Sequence, residues 1–236
     1  FLHSLFIQFE HHAWHGLRFW DLIQPGFMYI AGVAMAFSLH RQIEQGKSWG
    51  ERFTKTLKRS GWLFFWGVLD YAVRGDHLSF ELWDVLTQLS FTTLVTFLVF
   101  EWKYRNQILA CLGLLLLTES LYRYTNIPGF DQPFTDQHNF GNYIDLLLMN
   151  KINSGGWVAI NAIPTSVHTI AGAMVGKWMI GAKSDQDRIR WIIYAGVACL
   201  TIGYIQDLTD ITPIIKRIAT TSFTLVTAGY CLLATA

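Results

Sequence analysis

Apolar residues along the chain gather into seven stretches: Trp20–Leu39, Leu57–Val73, Trp83–Phe100, Gln107–Leu121, Trp157–Gly181, Ile189–Leu208 and Ile218–Ala236. Each approaches the roughly 20 residues that cross a hydrocarbon core about 30 Å thick. None alternates polar and apolar positions with a period of two. In lipid a segment must satisfy its own backbone hydrogen bonds, so such runs predict helices and not barrel strands. The expected fold class is all-α: a polytopic transmembrane bundle of about seven helices, forming one domain over residues 1–236. Phe1–Phe9 is also apolar and reads as the tail of an earlier helix or an interfacial segment. It lacks the basic start and small-residue cleavage site of a signal peptide. The sequence closes at Cys231–Ala236 without an anchoring Lys, Arg or belt aromatic. Further helices are therefore expected before Phe1 and after Ala236.

The polar segments between the runs carry unequal basic charge. Arg41, Lys47, Arg52, Lys55, Lys58 and Arg59 follow the first run, Lys103 and Arg105 follow the third, and Lys177, Lys183, Arg188 and Arg190 surround the end of the fifth. The intervening segments hold Arg74, then Arg123 and Lys151, then Lys216 and Arg217. An excess of Lys and Arg marks the cytoplasmic side, so the first set is expected inside and the alternation holds through all seven helices. The chain before Trp20 and the stretch 122–156 then lie outside. That outer loop contains Pro128, Pro133 and the short amphipathic piece Tyr143–Asn150. At this length it is either a packed functional loop or a solvated connector.

Composition adds little beyond this. Hydrophobic residues make up 52% and charged residues 15%, with a formal net charge of +1. That balance offers no basic surface for nucleic acid. Cys111, Cys199 and Cys231 sit far apart inside apolar runs, which predicts buried thiols and neither a disulfide nor a metal site.

Chemistry is sought in polar residues at membrane depth, each costly unless paired or facing water. Glu10, His11, His12, Trp14, His15 and Asp21 crowd the entry to the first run. They suit an acid–base site, a metal site, or an interfacial cluster with solvated histidines and belt tryptophans. The spacing of a zinc-protease helix is absent, and Gly16 weakens a helix here. Asp84 and Gln88 lie one turn apart on the third run, as a functional pair or as a bond to a neighbouring helix. Asn161, Thr165 and His168 form a stripe around Pro164, suited to lining a cavity or to hydrogen-bonded helix packing. Asp70, Glu119, Asp145 and Asp207 fall near helix ends and read as interfacial.

The segment HHAWHGLRFWDLIQPGFMYIAGVAMAFSL resembles the early signature of the heparan-alpha-glucosaminide N-acetyltransferase-like family of transmembrane acyltransferases, and is most similar to its uncharacterised bacterial branch. His11, Trp14, Gly16, Asp21, Leu22, Ile23, Pro25, Phe27 and Gly32 follow the family's H-x-x-W-x-G and D-L-[IV]-x-P-x-F order. LWDVLTQLSF at Leu82–Phe91, NYIDLLL at Asn142–Leu148, AIPTSVHTIAGAMVGKW at Ala162–Trp178 and PIIKRIATTSF at Pro213–Phe223 are similar to later family motifs. The resemblance implies a bacterial inner-membrane protein that moves an acetyl or other acyl group from a cytoplasmic acyl-CoA, acetyl-CoA above all, to an amino sugar or glycan outside. It implies His11 as the catalytic base or acyl carrier, His12 as the adjacent fallback and Asp21 as the group orienting the imidazole. Asp84, Gln88, Asn161, His168 and Lys216 would line the path, with no metal. The chain departs from the pattern at Leu89, where many members carry Arg, and at Ala219, where Trp is expected. The family's Leu-Asp-x-x-x-Arg-Gly segment before the histidine is not in this sequence. These departures support a second expectation, a catalytically inactive relative serving as a structural subunit of a larger membrane complex.

Overall fold

The computed structural model describes residues 2–74, 79–181 and 184–236, so Lys183 of the basic loop lies outside the described residues. These residues form α1 (Leu2–Ile7), α2 (Ile23–Glu44), α3 (Trp49–Arg74), α4 (Val85–Val99) and α5 (Tyr104–Tyr124), followed by α6 (Phe140–Met149), α7 (Ala162–Ile180), α8 (Asp185–Leu208) and α9 (Thr221–Leu233). Short 3-10 turns, Phe19–Leu22 and Ala159–Asn161, lead into α2 and α7. Among the described residues there is no strand, only an isolated antiparallel bridge between His15 and Ile215.

Each of the seven apolar runs contributes one helix, but several helices begin late. Asp84 caps α4 by accepting from Leu86 N at 2.7 Å, which leaves Trp83 outside the helix. Thr220 caps α9, so Ile218 and Ala219 belong to the preceding segment. Pro164 falls in the first turn of α7, where its missing N–H has no intrahelical partner to lose. It therefore frees no carbonyl.

Two helical segments, Phe19–Glu44 and Gln186–Leu208, are long and apolar enough to cross a membrane. The other five fall short by that measure. Helix α4, with 15 residues, reaches about 22 Å at roughly 1.5 Å per residue, and α9 is shorter still. Helix α3 spends its first half in charged sequence.

The centre of the bundle is the α2–α7 pair, with α4, α5 and α9 packed around it and α8 resting on α9. Two glycines set the α2–α7 approach. A Cβ on Gly32 would stand 2.0 Å from Thr169 O, and one on Gly172 would stand 2.0 Å from Tyr29 O. Backbones this close require a residue without a side chain on each helix. Around the pair the interior is rich in hydroxyls: Thr92, Thr96, Ser166, Thr169, Thr224 and Thr227 have no exposure at all. Many large apolar side chains face outward, as with Leu109, Leu112 and Leu116 on α5 and Ile193, Val197 and Ile205 on α8. Exposed apolar surface on this scale is unusual for a water-soluble monomer.

The polar segments gather at two ends. At one end, Arg52 pairs with Glu101, and Lys177 donates to Phe100 O at 2.7 Å and Trp102 O at 3.3 Å. At the other, the N-terminal loop, the 122–156 stretch and the 209–220 segment meet. His15 Nε2 lies 2.8 Å from Asp207 Oδ1, Trp14 Nε1 donates to Phe134 O at 2.8 Å, and Arg123 donates to Ile211 O and Thr212 Oγ1.

Replacing Gly172 by Leu forces α2 and α7 apart. Overpacking typically costs about 1–3 kcal/mol, and here the clash is with backbone, so the upper end or more is expected. Thermal unfolding of purified protein in detergent should show a large fall in midpoint. Gly26→Ala, where an added Cβ meets nothing within 4 Å, should leave the midpoint unchanged.

Candidate functional site

The site is built by two non-helical segments that fold over the entry to α2. The loop 10–18 is pinned to the segment Pro213–Thr220: Gly16 N donates to Ile214 O at 2.8 Å next to the His15–Ile215 bridge. Gly16 has φ +136°, a conformation suited to glycine, and the His12 ring occupies the space a Cβ would need. The Pro213–Thr220 segment folds back tightly on itself. Thr220 N donates to Ile215 O at 3.2 Å, and Thr220 Oγ1 donates to Pro213 O at 2.8 Å while accepting from Ile215 N at 3.0 Å. Ala219 closes this turn at φ +47° and is fully buried. The position that resembles a family tryptophan is thus a left-handed corner with no room for a ring.

Together these segments hold three ionisable groups against one another. Asp21, in the turn before α2, is fully buried and accepts from Arg18 N at 3.0 Å and His12 N at 3.2 Å through one oxygen. Its other oxygen lies 3.0 Å from His11 Nδ1 and 3.3 Å from Lys216 Nζ. Lys216 Nζ is also 3.0 Å from His11 Nδ1. Burial pushes the Lys216 amine down to about 8, partly offset by the Asp21 carboxylate. The Trp157 ring packs edge-on to His11 at 5.8 Å and lies beneath Lys216 Nζ at 5.4 Å.

His11 Nδ1 cannot serve both neighbours in the same way. With its proton on Nδ1 the ring donates to Asp21 and presents the Nε2 lone pair; with Nδ1 bare it accepts from Lys216 and carries its proton on Nε2. The first arrangement makes Nε2 a base backed by a buried carboxylate, the relation by which a carboxylate stabilises an imidazolium in proton-transfer sites.

A cavity of about 370 Å³ lies beside this cluster. His11, Lys216 and Trp157 form its polar end. One side is the face of α2 carrying Trp20, Ile23, Gln24 and Phe27; the other is Tyr71 with Trp83, Asp84 and Val85. The stretch read as an outer loop buttresses that second wall. Asp145 of α6 is fully buried, with Oδ2 accepting from Trp83 Nε1 at 2.9 Å and Oδ1 from Ala159 N at 2.9 Å. Burial raises its carboxyl to about 7, against the pull of those two bonds. Lys151 pairs with Glu81 at 2.6 Å on the same wall.

His11, Asp21, Lys216 and Asp84 therefore come together at one cavity. Gln88 stands one layer behind it, accepting from Gln24 and donating to Trp83 O at 3.2 Å. The His12 ring packs under Gly16, away from the lining residues, and burial lowers its basicity. Asn161 and His168 do not line the cavity. Asn161 donates to Arg217 O at 3.3 Å and so helps seat the Pro213–Thr220 segment, while His168 is fully buried, 2.8 Å from Thr227 Oγ1 of α9. Their stripe is helix packing because α7 is enclosed by α2, α4, α5 and α9. Sequence reasoning missed Trp157, Gln24 and Tyr71, and treated Asp145 as interfacial when it is fully buried; Asp207, read the same way, is only partly buried. Asp207 Oδ1 accepts from Ile214 N at 2.7 Å as well as facing His15. Among the described residues, no group of three or more His, Cys, Asp or Glu is arranged to hold a metal ion.

Asp21→Ala strands the Lys216 ammonium in the interior. Breaking a buried ion pair from one side costs about 3–5 kcal/mol, so a strongly lowered unfolding midpoint is expected. Asp21→Ala combined with Lys216→Met removes both charges and should recover much of that loss, a coupling that a double-mutant cycle in detergent measures directly.

No protein-family model matches this chain, and no curated protein matches it.

Proposed function

We propose that the chain is a polytopic bacterial inner-membrane protein of the acyltransferase kind, in which His11 acts on an acceptor bound at the outer end. Support for the membrane setting comes from the outward Leu, Ile, Phe and Trp side chains on α3, α5 and α8 and the hydroxyl-rich interior. The unequal basic charge of the two ends supports an orientation with the Arg52–Glu101 end in the cytoplasm. In this reading the bundle contributes about seven spans, the shorter helices being extended by the segments that flank them.

One observation carries the chemistry: His11 Nδ1 sits 3.0 Å from a fully buried carboxylate while the same ring lines a cavity. His11 Nε2 takes the proton from an amine or hydroxyl of an amino sugar or glycan as that atom attacks an acyl carbonyl. The new N–C or O–C bond forms, the bond to the donor's leaving group breaks, and His11 returns the proton to that group. Asp21 stabilises the transient imidazolium. Trp83, Trp157 and Tyr71 offer flat apolar surfaces to a sugar ring, and Gln24 and Asp84 offer polar atoms to its substituents.

An acyl-CoA donor rests on the family resemblance alone. The residues around His11 do not make a cradle for its phosphates: Lys216 lines the cavity, but its ammonium faces Asp21. Beneath the cavity the α2–α4–α7 contact is closed by Met28, Thr92 and Thr169, with Thr169 Oγ1 donating to Thr92 Oγ1 at 3.1 Å. That closed layer also favours a second reading, a catalytically inactive subunit of a larger membrane complex. Transfer activity separates the two.

With purified protein and an assay for acyl transfer to glucosamine, His11→Ala should lower the rate about 10²–10⁴-fold without lowering the unfolding midpoint, and His12→Ala should be far milder. Wild-type protein inactive with every acyl donor would favour the subunit reading. Orientation has its own check. A protease site inserted in the loop between α2 and α3 should be cut from the cytoplasmic side, and one at Thr125–Asn139 from the outside; the reverse pattern would invert the assignment.

A further inference from the structure

The cavity beside His11 is bounded on one side by the outside of the bundle. Trp20, Ile23 and Phe27, three of its lining residues, are 40%, 38% and 62% exposed. They belong to a stripe that runs on down α2 through Ile30 and Phe37, at 63% and 49% exposure. This is the face opposite Gly32, whose side packs on α7. From Ile23 to Phe37 the stripe extends about 21 Å at roughly 1.5 Å per residue, longer than the ~15 Å filled by the acyl chains of a single leaflet. One continuous surface thus begins at a polar end, with His11, Lys216 and Gln24, and passes between aromatic walls onto an apolar track facing outward.

We infer that the acceptor reaches His11 from within the bilayer, as a glycolipid whose sugar occupies the cavity and whose acyl chain lies along Ile23, Phe27 and Ile30. This deepens the acyltransferase reading and rests on it for the role of His11. A water-soluble sugar has no use for a cavity whose rim is phenylalanine and isoleucine. A lipid-borne sugar gains from both halves: aromatic faces and amide groups suit the ring, and burial of chain methylenes on the stripe adds to affinity. The loop 10–18 and the Pro213–Thr220 segment are bonded to each other beside the cluster, and the exposed α2 residues of the cavity offer a way in from the bundle's outside.

The test reconstitutes the protein in phosphatidylcholine vesicles with a trace of monoglucosyl diacylglycerol or its glucosaminyl counterpart, each bearing a diazirine in one acyl chain. Irradiation and peptide mapping should place adducts on the α2 segment containing Ile23, Phe27 and Ile30. Excess unlabelled glycolipid should compete them away; methyl glucoside and additional phosphatidylcholine should not. Phe27→Arg should reduce the competed adduct about tenfold or more, since a loss of ~1.4 kcal/mol already gives that factor. Phe37→Leu, farther along the stripe, should leave it near wild type. Adducts spread equally over α5 and α8 and insensitive to competitor would mean ordinary boundary lipid and overturn the inference. Competition by methyl glucoside as strong as by glycolipid would overturn it too, in favour of a soluble acceptor. The two readings fail separately. Transfer to soluble glucosamine that depends on His11, without a competed adduct, removes lipid delivery and keeps the enzyme. A competed adduct that persists in His11→Ala, with no transfer in wild type, keeps a glycolipid site and removes the enzyme.

Discussion

A carboxylate with no exposure has to be answered by the structure around it, and at Asp21 that requirement organises one end of the bundle. An ionised carboxylate left alone in a low-dielectric interior would cost several kcal/mol or take up a proton. Asp21 is instead surrounded: two backbone amides on one oxygen, His11 and Lys216 on the other. The donors come from opposite ends of the chain. Satisfying Asp21 therefore requires loop 10–18 and the Pro213–Thr220 segment to meet, which is what the Gly16–Ile214 bond and the His15–Ile215 bridge accomplish. The strained corner at Ala219 persists in this setting, because the bonds from Thr220 over-determine the turn. The same arrangement aligns the imidazole that faces the cavity.

How much of this was legible beforehand depends on the range of the interactions. Seven of the nine described helices were readable as apolar runs, because length and periodicity are local properties. Their starts were less so: Asp84 as the cap of α4 and Pro164 in a first turn depend on where a helix begins, which hydropathy marks poorly. The crowding of His11 and Asp21 within ten residues marked a cluster, and the pairing itself came from the motif resemblance. Lys216 joins them from the far end of the chain, and only a motif resemblance pointed to it. Asp145 could not be distinguished from an interfacial carboxylate, since its partners Trp83 and Ala159 are set by how the outer stretch folds back. The error at Asn161 and His168 has a related cause. A polar stripe at helical spacing lines a cavity only if some face of its helix is free, and α7 is enclosed on all sides by other helices.

Helix α2 resolves two demands that usually conflict. One face must come close enough to α7 for backbone to touch backbone, which Gly32 allows; the opposite face is unpacked and apolar. A helix held this rigidly along one side can leave the other uncovered without losing its place. Asp21 sits in the turn that leads directly into that helix, so the charge cluster is tied to the most tightly packed contact in the bundle. Rigidity matters for proton transfer, where reacting atoms must be held near hydrogen-bonding distance. The residues of the cluster and the cavity wall lie on irregular segments, yet each is anchored to a helix end: Asp21 to α2, Lys216 through Thr220 to α9, and Trp83 through Asp84 to α4. A catalytic arrangement and a purely structural one would share that anchoring. What the structural role alone does not call for is His11, because Asp21 is already neutralised by Lys216 and bonded by two amides. The imidazole adds no charge balance that the site lacks, and it remains 44% exposed at the edge of an open cavity. That surplus is the strongest physical argument for chemistry at this end of the molecule.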